Sequence, residues 1–377
     1  MTESRPDRPI KVLWLIKGLG PGGAEQLLLL AVKVADRERF DYQIAFQRPD
    51  KTHLIPEFRE LGMEPFRLGA KGGRGGWLSD LRQLMQEVDI VHVHSPVLAS
   101  VARMLSRSIT PSRRPHIVVT EHNEWTSHRR PTRLLNALTT GLDAHHWAVS
   151  DQVVETMWPI HRKTYPVLIH GIDTTTVPSD SETRKRLRAE LGVEDDAVLG
   201  ITVANLRRVK DYPNLLNAAR RAIDAQPRFR LICVGQGPLE AEIRALHDEL
   251  GLGTRVQLLG FRRDVQDLMG AADLFVLGSA HEGLPIAVME AFAAGLPVVA
   301  TAVGGVPQQV REGREGLLVE PGNPQALADA IVRVVRDDDL RGQMAAAALS
   351  RSADYDIRGA VSEQERVYAA LAGKTRR

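Results

Sequence analysis

Short β-rich runs recur along this chain with helical spacing between them, and the series occurs twice. Runs at 11–16, 42–46, 90–93, 117–120 and 146–149 are followed, after a polar segment at 173–181, by runs at 198–203, 230–234, 256–259, 274–277, 298–301 and 316–319. Apolar positions in the intervening stretches, such as 24–35, 212–225 and 239–250, fall at helical period. Strands that alternate with helices predict parallel βαβ units. Two such series predict an α/β chain of two facing Rossmann-like, doubly wound domains, with ligands at the carboxyl ends of the strands in the interdomain cleft.

The chemistry-bearing residues fall at those strand ends. Gly18, Gly20, Gly22 and Gly23 follow the first strand and precede a helix, a turn that lets backbone N–H groups approach a phosphate. The spacing also fits a dinucleotide turn, but the second strand closes on Gln47 and Arg48 where a nicotinamide site wants an acid. His92 and His94 end one strand and His122 follows another. The first two share a side, as a metal pair would, yet no third ligand is identifiable and polar packing explains them. His122 is a single group able to hydrogen-bond a sugar hydroxyl or stabilise developing charge.

In the second series, Asn205, Leu206, Arg207, Arg208, Val209 and Lys210 end the first strand. Two or three cations there suit a diphosphate leaving group, whose departure needs charge stabilisation. The stretch 281–306 then sets Glu282, Gly283, Leu284, Pro285 and Ile286 before an apolar helix carrying Glu290, with Pro285 expected at the first helical position. Unpaired N–H groups at a helix start favour an anion, and two carboxylates eight residues apart cannot share one job. Asp337, Asp338 and Asp339 read as a helix cap rather than a metal motif.

These residues together resemble the retaining glycosyltransferases of family 4, which have the GT-B fold, over nearly the whole chain. The markers are Gly22-Gly23-Ala24-Glu25, His170-Gly171-Ile172-Asp173 in place of the usual Asn-Gly-Ile-Asp, Gly235-x-Gly237-Pro238, Ala272-Asp273, Glu282-x7-Glu290, Gly295-x-Pro297 and Gly304-Gly305. The resemblance implies transfer of a sugar from a nucleotide-sugar donor with retention, no cofactor and no required metal. It implies an N-terminal acceptor-binding domain at 1–174, a nucleotide-sugar domain at 175–355, and a last helix at 356–377 that crosses back onto the first domain.

By position, the resemblance assigns Glu290 to the donor ribose, and Glu282 with the backbone of Gly283, Leu284, Pro285 and Ile286 to the sugar and phosphate. Lys210 and an arginine would hold the diphosphate with N–H groups near Gly22 and Gly23. His122 would lie near the transferred sugar, and Phe261 and Arg262 near the base. One departure matters: where the family carries Gly-Arg-Leu this chain has Ala204-Asn205-Leu206, so Arg207 or Arg208, two or three residues on, could reach the phosphates in its place, or Lys210 serves alone.

Charge bounds the partners. The net charge of +2 gives no argument for nucleic acid, but residues 1–174 hold 23 Lys and Arg against 19 Asp and Glu. Seven arginines between Arg103 and Arg133, with Met104, Leu105, Leu134 and Leu135, suggest contact with anionic lipid as an alternative to an ordinary solvated face. No apolar leader opens the chain, and the one cysteine, Cys233, lies in an apolar run, so a cytoplasmic protein with a buried, inert thiol is expected. The acceptor, a glycan or lipid-linked precursor, would meet loops at 71–77 and 123–133. The competing readings are a catalytically inactive nucleotide-sugar-binding protein, for which Asn205 is the support, and a GT-B epimerase.

Overall fold

The computed structural model describes residues 8–20, 22–70, 72, 76–174 and 180–375. The chain divides into two compact units, Met1–Gly171 with Ile357–Arg377, and Ile172–Asp356. Of the loop at 71–77, residues 71 and 73–75 lie outside the described residues.

The first unit is built on β1 (Ile10–Ile16), β2 (Phe40–Phe46), β3 (Phe66–Arg67), β4 (Ile90–Val93), β5 (His116–Glu121) and β6 (His145–Ala148). They form one parallel sheet in the order β3-β2-β1-β4-β5-β6. The second unit uses β7 (Val198–Val203), β8 (Phe229–Val234), β9 (Val256–Gly260), β10 (Leu274–Leu277), β11 (Val298–Thr301) and β12 (Gly316–Val319). Its parallel sheet runs β12-β11-β10-β7-β8-β9, the same winding from its own first strand.

Both orders are that of the dinucleotide-binding fold, with the chain reversing direction across the sheet between its first and fourth strands. That switch point lies between β1 and β4 in the first unit and between β7 and β10 in the second. Helices diverge to opposite faces there and leave a crevice at the carboxyl ends. The strands that flank it lead into Gly22, Gly23, His94, Lys210 and Glu282, whereas His122 follows β5 and Phe261 and Arg262 follow β9.

Burial follows from pattern. β4, β10 and β11 are buried at every position, as strands covered on both faces must be. The helix Tyr212–Ala225 buries Tyr212, Leu215, Leu216, Ala218, Ala219, Ala222 and Ile223 against a core that includes Phe229, Leu231 and Ile331. Asp211 caps it, with the side chain accepting from the Asn214 amide, and takes φ 44°, a left-handed turn that Asp tolerates better than most residues. Asp337 likewise caps the helix Asp338–Ser352 by accepting from the Leu340 amide at 2.8 Å.

The last helix, Ile357–Thr375, packs on the helix Gly23–Val34 and on β1 within the first unit. Glu365 accepts from the Asp36 amide at 2.8 Å and from the Tyr42 hydroxyl at 2.9 Å. Cys233 is buried on β8, and burial pushes its thiol up to about 12, so it stays protonated at neutral pH.

Candidate active site

In the second unit the loop after β7 and the loop after β10 meet. The Lys210 ammonium donates to both carboxylate oxygens of Glu282, at 2.7 and 2.8 Å. The Ser279 hydroxyl adds a third bond to Glu282 Oε1 at 2.6 Å. The Lys210 side chain is 17% exposed and that of Glu282 7%, so the pair is screened far less than a surface one.

This loop is braced from behind. The Ala280 and His281 amides donate to the Val209 carbonyl, the Thr301 hydroxyl donates to the Ser279 carbonyl, and Gln309 Nε2 to the Pro285 carbonyl. The Gly305 amide donates to the Gly283 carbonyl at 2.6 Å. Gly304 sits at φ +54° with its α-carbon against the Glu282 backbone, so any Cβ there would run into the Glu282 carbonyl. Gly235, at φ +147°, is held as closely to the Ala204 carbonyl after β7. The glycines legible in sequence are thus backbone-on-backbone contacts that fix the two loops.

Pro285 is the N-cap of the helix Ile286–Ala293, not its first residue as the sequence suggested. Its extended backbone, φ −70° and ψ 117°, makes it the last loop residue. The consequence for an anion is unchanged. The amides of Gly283, Leu284, Ile286 and Ala287 donate to no partner among the described residues, and they sit at the positive end of the helix dipole beside Lys210.

Glu290 lies one turn further in, partly buried, and its carboxylate has no hydrogen-bond or ionic partner among the described residues. Burial without compensation pushes its carboxyl up to about 7. The side-chain oxygen of Asn205 is also buried and unpaired, at the position where the family pattern expects an arginine. Arg207 and Arg208 are exposed, and neither side chain has a partner among the described residues, so both guanidinium groups are available. Phe261 and Arg262 follow β9, two strands from β7; Phe261 is 43% exposed, and Arg262 pairs with Asp264 and Glu190.

In the first unit, the switch-point strands end on the glycine turn and on histidines. Gly22 is the N-cap of Gly23–Val34, and the amides of Gly22 and Gly23 donate to no partner among the described residues. His92 bridges the Tyr368 hydroxyl at 2.5 Å and Thr120 Oγ1 at 2.8 Å. His94 Nδ1 lies 3.0 Å from His122 Nε2. His170, behind them, bonds the Leu168 carbonyl through Nδ1 and Gln364 through Nε2. Burial lowers all four rings below the ordinary imidazole range, His122 to about 3 and His170 to about 4, so each is neutral at physiological pH. His145 and His146 stay outside this group: His145 meets Trp147 edge-on and His146 stacks on Tyr165.

Sequence reasoning missed Ser279, the His94–His122 pair, and the roles of Gln364 and Tyr368. Nothing local marks them: the last two sit on a helix nearly two hundred residues or more from their partners. Arg103 is a correction. Instead of belonging to a basic surface, it is fully buried, ion-paired with Asp143 at 2.6 Å and bonded to Asn136.

Two parallel sheets of this winding, each with a phosphate-compatible crevice at its switch point, are the two halves of a GT-B fold. Residues 183–351 match the glycosyl transferases of group 1, and residues 21–199 match glycosyltransferase family 4. The chain belongs to the family 4 glycosyltransferases. It is 30% identical over 322 residues to D-inositol 3-phosphate glycosyltransferase of Corynebacterium urealyticum, covering 79% of this chain and 75% of that one. N-acetyl-alpha-D-glucosaminyl L-malate synthase of Bacillus anthracis is 25% identical over 266 residues, 69% of this chain and 68% of its own. In structure, Anabaena Alr3699/HepE in complex with UDP-glucose superposes with a TM-score of 0.83 at 23% identity, over 97% of this chain and 100% of that one.

Proposed function

We propose that this glycosyltransferase takes a UDP- or GDP-sugar and transfers the sugar, with retention, to a glycan or lipid-linked acceptor, without a required metal ion or cofactor. The observation that carries this reading is the Lys210–Glu282 pair beside four free amides at the β7/β10 switch point, one turn from the unpartnered Glu290. That array matches a nucleotide diphosphate: amides, Lys210 and Arg207 or Arg208 toward phosphate, Glu290 toward the ribose hydroxyls. The UDP-glucose bound by the HepE neighbour supports a nucleotide sugar of this kind.

The reaction proceeds on one face of the sugar. The bond from the anomeric carbon to the phosphate oxygen breaks, the acceptor oxygen bonds the same carbon, and the acceptor proton passes to a phosphate oxygen. The protein supplies position and charge. A covalent route through Glu282 is disfavoured because three hydrogen bonds to its carboxylate blunt it as a nucleophile. His122 is assigned to the transferred sugar and Phe261 and Arg262 to the base. A thermal-shift screen with UDP-, GDP- and ADP-sugars tests the donor, since a ligand at a hundred times its Kd stabilises by about 2.7 kcal/mol. NMR of the product anomer tests retention. No shift with any nucleotide sugar, or an inverted product, overturns the reading.

A peripheral membrane contact fits the helix Arg130–Thr139, which is amphipathic the wrong way round. It buries Asn136 and Thr139 around Arg103 and leaves Leu134, Leu135 and Leu138 50%, 37% and 71% exposed, beside exposed Arg129 and Arg130. Exposed leucines next to arginines match an anionic lipid surface. Sedimentation with phosphatidylglycerol vesicles at low salt is expected to capture the protein, and Leu134→Asp with Leu138→Asp to release it. Equal recovery with phosphatidylcholine, or none with either, removes the membrane contact. No described helix is long and apolar enough to cross a membrane.

A further inference from the structure

One ring nitrogen of His122 is already occupied. His94 Nδ1 and His122 Nε2 are 3.0 Å apart, and in a bond between two neutral imidazoles one nitrogen carries the proton and the other accepts it. Which of the two does so is decided at the far side of His94. That residue is 7% exposed, and its Nε2 is buried with no partner among the described residues. A proton on that nitrogen would leave a buried N–H donor unsatisfied, at a cost of about 1–3 kcal/mol. A bare acceptor is the milder orphan.

The His94 proton therefore resides on Nδ1 and is donated to His122 Nε2, which has to be unprotonated. Because His122 is neutral, its own proton sits on Nδ1, and that nitrogen has no partner among the described residues. The surrounding rings do not offer an alternative. His170 donates from Nδ1 to the Leu168 carbonyl and accepts from Gln364, and His92 is engaged by Tyr368 and Thr120. Among the described residues no carboxylate is hydrogen-bonded to His94 or His122 to draw either proton another way.

We propose that His94 is a positioning residue that locks His122 in its Nδ1–H tautomer, so that His122 meets an oxygen ligand, a sugar hydroxyl or a phosphate oxygen, as a hydrogen-bond donor and not as a base. The identity of that oxygen rests on the proposed function; the tautomer does not. A locked donor facing a phosphate oxygen is already oriented when negative charge builds on the leaving group, which is how a fixed dipole lowers a barrier without reorganising.

The test begins with the ligand-free full chain labelled with 15N-histidine. Long-range proton–nitrogen correlation is expected to show a pyrrole-type Nδ1 and a pyridine-type Nε2 for His122; the opposite pattern overturns the proposal. In His94→Leu the Nε2–H tautomer of His122 is expected to become populated. In His94→Asn the side-chain amide stands where Nδ1–H stood, and the wild-type pattern is expected to return. With UDP-glucose as the probe, His94→Leu is expected to lower kcat about tenfold while KM stays within about twofold, and His94→Asn to recover most of the loss. Unchanged kcat in His94→Leu overturns the positioning role. If UDP-glucose neither binds nor reacts in any variant while the tautomer switches as described, the lock stands and the donor assignment fails instead.

Discussion

Lys210→Ala is expected to lower kcat/KM by at least about a hundredfold and to destabilise the second unit by about 1–3 kcal/mol. The two effects have separate causes. Removing a charge aimed at a departing phosphate costs about 10²–10³ in rate in comparable sites. Removing one partner of a buried pair leaves the other charge uncompensated, at about 3–5 kcal/mol when burial is complete; the 17% exposure of Lys210 reduces that here. Adding Glu282→Ala to Lys210→Ala is therefore expected to restore thermal stability, because the stranded carboxylate is gone, while turnover stays low. Arg207→Ala, which removes an exposed guanidinium with no partner among the described residues, is expected to lower turnover about tenfold with no change in melting temperature. Lys210→Met with near wild-type turnover would remove Lys210 from the phosphate site; an unchanged Arg207→Ala would transfer the second cationic role to Arg208.

The fold was readable because parallel strands buried on both faces are short apolar runs, and the glycine and polar stretches between them are abrupt. Six strands in each unit have cores of four or more residues except β3, Phe66–Arg67, which is too short to form a run and has both side chains exposed. The position of Lys210, Glu282 and His122 at strand ends followed from that order alone. What did not follow is which groups are held and which are free. Sequence placed Arg103 and Arg129 in one basic surface, but the first neutralises Asp143 in the interior and the second faces water, a difference made by residues forty positions away. The pairing of His94 with His122 has the same character: adjacent strands β4 and β5 bring them together, and spacing along the chain carries no trace of it.

Glu290 poses the opposite problem to Lys210, a carboxyl that the fold buries and that has no partner among the described residues. Its carboxyl is held up at about 7, above the ordinary 4.5, by burial alone. The native state therefore binds the proton more tightly than the unfolded chain, and stability contributed by this group is present below about pH 4.5 and is lost as pH rises through 7. Glu290→Gln removes the charge and keeps the shape, so it is expected to stabilise the protein at pH 8 by about 1–3 kcal/mol, and to leave stability unchanged at pH 4. The same substitution is expected to weaken nucleotide-sugar binding by roughly tenfold or more, since an ionised carboxylate facing a ribose diol accepts two charge-assisted bonds. The wild-type affinity is then expected to fall about tenfold from pH 8 to pH 6, as Glu290 takes up its proton, with a nucleotide sugar whose diphosphate does not titrate across that range. Calorimetric titration of wild type and Glu290→Gln at both pH values decides the matter. A variant that is more stable and binds as tightly as wild type would show that the buried charge serves something other than the donor. A variant that gains stability and loses affinity would show that the unpaired carboxylate is maintained against folding because the ligand supplies its partner.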